Sequence, residues 1–150
     1  MFKYNICFLK SKDKVLMLNR EKAPIIGVWN GVGGKHEIGE TADEGAIREV
    51  FEETGFNVNQ YYSKGIITWN TSDHKKDGLY VYLFEVDTIL ESESMKKTRE
   101  GILDWKQIDW ILNPSNLGIA EMVKEYLPVL LEKAGDYSFE YKDDILILVK

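Results

Sequence analysis

Short apolar runs separated by polar residues predict three β-hairpins along the chain. The first pair of strands is expected at residues 5–9 and 15–18, on either side of a polar turn. A second pair is expected at residues 65–69 and 79–86, and a last pair at residues 137–141 and 145–149. Apolar runs of this length bounded by turn-forming residues are typical of strands. The pattern therefore favours a sheet built largely from hairpins.

Two further segments have the three- and four-residue apolar spacing of helices. The later one carries an apolar stripe that faces a core, formed by Ile119, Met122, Val123, Tyr126, Leu127, Leu130 and Leu131. Pro128 lies within it and predicts a kink or a break, because proline lacks the amide donor and clashes with the preceding turn. The earlier helix opens at Thr41, where Glu44 completes a capping box, and ends at Gly55.

One face of the earlier helix is acidic. At 100° per residue, Glu49, Glu52 and Glu53 fall within an arc of about 100°. Like charges three and four residues apart repel by a few tenths of a kcal/mol, so helix propensity gives no reason to cluster them. A bound divalent cation would remove that cost. The alternative is an ordinary solvated acidic face.

Composition narrows the function classes. A chain of 150 residues with 44% hydrophobic and 29% charged residues predicts one globular domain over residues 1–150. The net charge of −6 opposes duplex nucleic acid, although carboxylates that hold cations can still bind a small nucleotide. The single cysteine, Cys7, is expected to be a buried core thiol. Without a recognisable signal or membrane segment, the chain is predicted to be cytoplasmic, away from membranes.

The acidic helix lies in a longer motif. Gly34 is followed after five residues by Glu40 and after seven more by the run from Arg48 to Phe56, REVFEETGF. This spacing resembles the Nudix box in every defined position, and chance agreement is on the order of 10⁻⁸. The resemblance implies an α+β protein with the Nudix fold, an α/β/α sandwich around a mixed sheet.

The same resemblance implies metal-dependent chemistry. Mg²⁺, for which Mn²⁺ can substitute, is expected to be held by Gly33, Glu49, Glu52 and Glu53. Arg48 is expected to orient a glutamate by a charge-assisted hydrogen bond. The general base is left open between Glu53 and Glu100, where Glu100 has the alternative of a solvated loop residue. His36 and His74 lack ligand spacing and are predicted to be surface residues.

The flanking residues bear on the substrate. The run from Trp29 to Lys35, WNGVGGK, is similar to a segment of MutT-like oxidised-purine nucleoside triphosphatases. The similarity implies hydrolysis of a nucleoside triphosphate such as 8-oxo-dGTP to the monophosphate and pyrophosphate. It also implies substrate contacts by Asn5, Arg20, Asn30, Lys35 and Trp69. Asn116, whose amide offers a donor and an acceptor to a base edge, is a further candidate from the residues themselves.

Each of these contacts has a plainer alternative. Asn30 precedes a glycine and fits a turn, and Trp69 fits a core aromatic on a strand. Asn116 fits a helix cap, and it belongs to an Asn-Pro-Ser-Asn run where the oxidised-purine enzymes have a tryptophan and an acidic pair. Arg20 and Lys35 fit surface cations. Purine selectivity therefore stays open at this level.

Two rival functions remain. Another Nudix substrate, such as ADP-ribose, a dinucleoside polyphosphate or a pyrimidine triphosphate, would use the same box. A non-catalytic nucleotide-binding module is the other alternative, although such modules usually carry a degraded box. The chain is expected to act as a monomer or homodimer.

Overall fold

The computed structural model describes residues 1–23, 25–87 and 95–150. Their strands form one mixed sheet in the order β6-β7-β2-β1-β5-β4-β8-β9, and β3 pairs with β2. In chain order the strands are β1 Asn5–Ser11, β2 Lys14–Arg20, β3 Trp29–Asn30, β4 Ser63–Asn70, β5 Lys76–Glu85, β6 Lys96–Lys97, β7 Gly101–Gln107, β8 Gly135–Lys142 and β9 Ile145–Leu148. The helices are α1 Ala42–Thr54, α2 Ile108–Leu112 and α3 Val123–Glu132.

The three predicted hairpins are present as β1–β2, β4–β5 and β8–β9, each antiparallel. The last turn uses Asp143 and Asp144, both with positive φ, as a two-residue hairpin turn requires. Parallel pairing joins β1 to β5 and β4 to β8, so the sheet is mixed. The hairpins join strands that are neighbours in sequence, and the parallel pairs join strands that are distant in sequence, with β5 lying between β1 and β4.

Two hydrophobic cores lie on opposite faces of the sheet. On one face α1 packs Ala46 and Val50 against Cys7 and Leu9 of β1. On the other face α2 and α3 pack against Phe8 and the neighbouring strands. The alternation of Cys7, Phe8 and Leu9 between the two cores reflects the opposite directions of successive strand side chains. The result is the predicted α/β/α sandwich. No helix among the described residues is long and apolar enough to cross a membrane.

The later helix differs from its prediction at its start. Met122 has a left-handed backbone with φ 73°, so α3 begins at Val123, and Ile119 lies before it, bridged to Trp29 of β3. Pro128 lies inside α3 without breaking it, because the loss of one amide donor is a local defect in a helix anchored by buried Tyr126 and Leu127. The apolar stripe is therefore real, but its first part is loop.

Candidate active site

The local sequence of α1 determines where the helix begins and ends and which of its residues are buried. The Glu44 amide donates to Thr41 Oγ1 and the Thr41 amide donates to Glu44 Oε1, both at 3.1 Å, which is the predicted capping box. Gly55, with φ 81°, ends the helix as its left-handed cap. Ala42, Gly45, Ala46 and Val50 are the buried residues of α1. At 100° per residue, Glu49 and Glu53 fall on the same side of α1 as Ala42 and Ala46, so these two carboxylates are partly buried against Gly33 and Gly34.

Arg48 organises the outer part of that acidic face. It donates to both carboxylate oxygens of Glu40, at 2.6 Å and 3.0 Å, and to one oxygen each of Glu49 and Glu52, both at 3.1 Å. Hydrogen bonds from Arg48, together with one from the Glu37 amide, lower the pKa of Glu40 to about 2. Arg48 therefore holds three glutamates by charge-assisted hydrogen bonds and compensates part of their charge.

Glu49 and Glu53 form an acidic pair with less compensation. The Gly33 amide donates to Glu53 Oε2 at 3.0 Å, and a side chain at Gly34 would put its Cβ 2.7 Å from Glu49 Oε1. Burial raises the pKa of both carboxyls, and for Glu53 the neighbouring charge of Glu49 adds to the effect and the pKa reaches about 7. Two partly buried carboxylates thus lie against a glycine backbone that admits them closely.

The donor chemistry of the acidic pair fits a hard divalent cation, because carboxylate oxygens are the ligands of Mg²⁺ and Ca²⁺ and a cation relieves their mutual repulsion. Glu52 does not join the pair. Its side chain is 54% exposed and bonded to Arg48, whereas that of Glu49 is 13% exposed. Within residues 1–23, 25–87 and 95–150, no three acidic, histidine or cysteine side chains converge as a ready ligand set. Metal binding by all three helix glutamates would therefore need Glu52 to leave Arg48.

A second loop brings Glu100 to the same place. The Glu100 and Gly101 amides both donate to Thr98 Oγ1, at 3.2 Å each, and the Glu21 amide donates to the Glu100 carbonyl at 3.0 Å. This backbone anchoring points the Glu100 side chain toward the acidic pair, where its charge contributes to the raised pKa of Glu53. Arg20 lies 3.5 Å from Glu100 Oε2.

These residues line one cleft of about 590 Å³. Its polar members are Asn5, Arg20, Asn30, Glu49, Glu53, Asp77 and Glu100, and its apolar and aromatic members include Tyr4, Ile6, Ile25, Val28, Trp69 and Leu79. Gly31, Val32, Gly33 and Gly34, together called the glycine loop below, form one wall. The cleft thus joins an acidic region to an apolar region of the sheet.

Of the predicted base contacts, Asn30 and Trp69 both border the cleft and both are partly exposed. The Asn30 Oδ1 atom accepts from the Gly31 amide at 2.8 Å, which also supports the turn that was its alternative role. Trp69 lies on β4 and packs in part on the core beside α3. Each residue therefore combines a structural role with access to the cleft.

Four predicted site residues lie outside the lining of the cleft, among them Arg48, which contacts the glutamates from their outer side. Lys35 is exposed, and its carbonyl accepts from Arg48. Glu52 is turned to Arg48, as described above. The Asn116 side chain donates to the Trp110 carbonyl at 2.9 Å and accepts from the Gly118 amide at 3.0 Å. A base contact by Asn116 is therefore not supported, because both ends of its amide stabilise the loop before α3.

Two other residues are held by contacts within the protein, and for His36 this corrects the prediction of a surface residue. Asn5 borders the cleft but is only 3% exposed, and its Oδ1 atom accepts from the Gly34 amide at 3.3 Å. His36 is partly buried instead of lying free on the surface, with Nδ1 2.9 Å from the Phe2 carbonyl and its ring against Tyr80. Both side chains are engaged by the protein because β1 and the glycine loop pack directly on each other.

Sequence reasoning missed several residues of the cleft. Asp77 stands directly opposite Trp69 in the β4–β5 pairing, and Leu79 follows on the same strand. Antiparallel register places paired side chains on the same face of a sheet, so the Trp69 prediction together with a hairpin register would have found Asp77. Ile25 and Val28 lie in a loop without periodicity, and the sequence carries no signal for their position.

Comparison with known proteins identifies the fold family. Residues 3–128 match the NUDIX domain family. The oxidized purine nucleoside triphosphate hydrolase of Mus musculus is 29% identical over 153 residues, covering 95% of this chain and 90% of that protein. A crystal structure of a mutator MutT protein from Bacillus halodurans is 30% identical with a TM-score of 0.68, covering 100% of this chain and 95% of that chain. A bifunctional NMN adenylyltransferase/ADP ribose pyrophosphatase from Francisella tularensis shares the fold at 22% identity, with a TM-score of 0.67, over 89% of this chain and 41% of that one.

Proposed function

The chain belongs to the Nudix family, and on that premise we propose that it hydrolyses a nucleoside triphosphate to a nucleoside monophosphate and pyrophosphate, with an oxidised purine nucleotide such as 8-oxo-dGTP as substrate. The observation that carries the proposal is the single cleft that holds Glu49 and Glu53 together with Asn30 and Trp69. A triphosphate needs cations, and a base needs an aromatic or apolar surface with a few polar groups. One cleft offers both.

Glu49 and Glu53 would hold the metal ion, which we propose to be Mg²⁺ with Mn²⁺ as a substitute, and Glu52 would join them after release from Arg48. The ion supplies charge neutralisation on the phosphates and a lowered pKa for an attacking water. The glycine loop lets the phosphates and the carboxylates approach its backbone, because a Cβ at Gly34 would collide with Glu49. Arg20 and Lys35 are the proposed phosphate-side cations.

Proton transfer has two candidates. The pKa of Glu53 is raised by burial to about 7, but a carboxylate bound to a cation becomes a weak base. Glu100 is held by its loop at the same cleft, with Arg20 beside it and without a hydrogen bond from Arg48. We therefore favour Glu100 as the residue that accepts the proton and Glu53 as a ligand.

One observation favours a second proposal for the substrate. Asn116 is engaged in its loop, so the segment before α3 contributes no amide to a base edge. Selectivity for purines then depends on Asn30 and Trp69 alone among the predicted contacts. This favours a broader enzyme that also accepts ADP-ribose, a dinucleoside polyphosphate or a pyrimidine triphosphate.

A substrate screen separates these possibilities. Purified protein with Mg²⁺ would be given 8-oxo-dGTP, dGTP and dCTP, and phosphate would be measured with and without added pyrophosphatase. ADP-ribose and a dinucleoside polyphosphate would be assayed with added alkaline phosphatase, because their cleavage leaves phosphomonoesters and no pyrophosphate. We expect release from 8-oxo-dGTP only when pyrophosphatase is added, since the direct product is pyrophosphate. Equal release without pyrophosphatase would reject the stated products, and no turnover of any triphosphate would reject the proposed substrate class.

Two variants tie the activity to the site. Glu53→Gln is expected to lower kcat at least about a hundredfold, because it removes a ligand charge and leaves the shape of the side chain. The matched control is Glu132→Gln at the exposed end of α3, on the opposite face of the sheet. Similar activity in both variants would contradict the assignment of α1 as catalytic.

A further inference from the structure

Strand β1 holds the glycine loop in place through backbone hydrogen bonds. Val32 and Cys7 exchange two backbone hydrogen bonds, and the Asn5 amide donates to the Gly34 carbonyl at 3.0 Å. A Cβ at Gly33, where φ is 147°, would lie 2.2 Å from the Asn5 carbonyl oxygen and 2.7 Å from its Oδ1. The loop that contacts Glu53 therefore rests directly on Asn5.

The orientation of the Asn5 side chain is determined by its partners. Its Oδ1 faces two donors, the Gly34 amide at 3.3 Å and the Cys7 thiol at 3.4 Å, so this atom is the acceptor. Its Nδ2 atom lies 3.1 Å from His36 Nε2. The Phe2 carbonyl can only accept, so His36 Nδ1 carries the proton that it donates there at 2.9 Å. Nε2 of the neutral ring is then the acceptor for Asn5 Nδ2.

From this geometry we propose that Asn5 and His36 are a positioning pair that sets the glycine loop against Glu53 and thereby tunes metal affinity. The chain of contacts runs from the Phe2 carbonyl through His36 and Asn5 to the Gly34 amide, and the adjacent Gly33 amide donates to Glu53 Oε2 at 3.0 Å. The inference rests on the proposed function for its importance in catalysis, but its prediction concerns metal binding by the protein itself.

Burial gives the pair its influence. Asn5 is 3% exposed, and the His36 ring is fixed between Tyr80 and Gly45, where an added Cβ would lie 2.4 Å from His36 Cδ2. If residue 36 no longer offers an acceptor nitrogen, Asn5 Nδ2 is left buried without a hydrogen-bond partner. The free-energy cost of that unpaired donor favours rotation of the Asn5 amide. A rotated Asn5 amide would present Nδ2 to the Gly34 amide and displace the loop.

The test compares Mn²⁺ binding, measured by calorimetry without nucleotide, in matched variants. His36→Phe keeps an aromatic ring but removes both nitrogens, and we expect it to raise the Kd for Mn²⁺ about tenfold. Asn5→Leu should give a similar increase, and the double variant should not exceed the larger single effect by more than about twofold, because the two residues act through one contact. His36→Gln, which retains a donor and an acceptor, should recover part of the affinity.

The matched control is Ser63→Ala, which removes a buried hydrogen bond of 2.7 Å to the Leu130 carbonyl, and neither residue lines the cleft. It should lower the melting temperature while leaving the Mn²⁺ affinity unchanged. If His36→Phe and Asn5→Leu bind Mn²⁺ as tightly as the parent, or no more weakly than Ser63→Ala does, the positioning role is wrong. If the parent binds Mn²⁺ but hydrolyses no triphosphate, the proposed function fails while a weakened His36→Phe variant still supports the positioning pair.

Discussion

Replacing Glu53 with glutamine should stabilise the metal-free protein above neutral pH. The pKa of Glu53 is raised from 4.5 to about 7, first by burial and then by the charge of Glu49, against one lowering hydrogen bond from the Gly33 amide. Between those pH values the folded protein keeps a proton that the unfolded chain has lost. Stability therefore falls as pH rises through this window, and the loss is complete above pH about 7.

The magnitude follows from the two pKa values. At roughly 1.36 kcal/mol for each pKa unit, the difference between the folded and unfolded pKa of Glu53 corresponds to about 3 kcal/mol. Ionisation of the carboxyl lowers the free energy of unfolding by this amount. Glutamine does not ionise, and its Oε1 atom can still accept from the Gly33 amide. The variant should therefore match the parent below pH 4.5 and exceed it by about 2 to 3 kcal/mol at pH 8.

The assay is urea unfolding in EDTA at pH 4.5, 6 and 8, followed by tryptophan fluorescence for the parent and for Glu53→Gln. Glu132→Gln serves as the surface control and should change stability by less than about 0.5 kcal/mol at every pH. Added Mg²⁺ in place of EDTA should remove or reverse the stability difference between Glu53→Gln and the parent at pH 8, since only the parent retains the full ligand charge. A stability difference that stays constant from pH 4.5 to 8 would refute the reasoning.

Further outcomes can be measured at other positions. Asn30→Ala should raise KM and narrow the ratio of kcat/KM between 8-oxo-dGTP and dGTP, and an unaltered ratio would leave Asn30 as a turn residue only. Thr41→Ala should cost about 1 kcal/mol in urea unfolding, through loss of the helix cap, with kcat nearly unchanged; no loss would mean that the capping box contributes little. Arg48→Gln should lower kcat more than tenfold by releasing Glu40 and Glu49 from fixed positions, and activity near that of the parent would show that this positioning is dispensable. Excess EDTA should abolish turnover, and full activity there would reject metal dependence.

Much of the fold was predictable because its signals are local. The capping box at Thr41, the glycine cap at Gly55 and the three hairpins each depend on residues within a few positions of one another. Strand β7 was missed although Leu103 and Trp105 alternate as buried residues, because its partner β2 is distant in sequence. The short α2 has no side-chain cap, so no sequence signal marks its start.

The candidate site also has a part that local sequence predicts and a part that depends on tertiary contacts. The helix glutamates were found from spacing, but the separation of Glu52 from the acidic pair depends on burial, because Glu49 and Glu52 each accept one bond from Arg48 while their side chains are 13% and 54% exposed. Helical angles place Glu52 beside Glu49 and Glu53 and cannot show which of these side chains the glycine loop covers. The contact of Asn5 with His36 joins positions 31 residues apart, across a loop without periodicity.

Charge compensation explains why the acidic face has two parts. Arg48 binds Glu40 through two hydrogen bonds and lowers its pKa, so that carboxylate adds little repulsion. Burial raises the pKa of Glu49 and Glu53, and the single bond that each accepts, from Arg48 and from the Gly33 amide, does not offset it. A partly buried, incompletely compensated pair lowers the stability of the protein alone and favours any state in which a cation is bound. The loss of stability caused by ionised Glu53 and the affinity of the cleft for a metal therefore have one physical origin. Substitutions that stabilise the metal-free protein by removing this charge should also weaken metal binding.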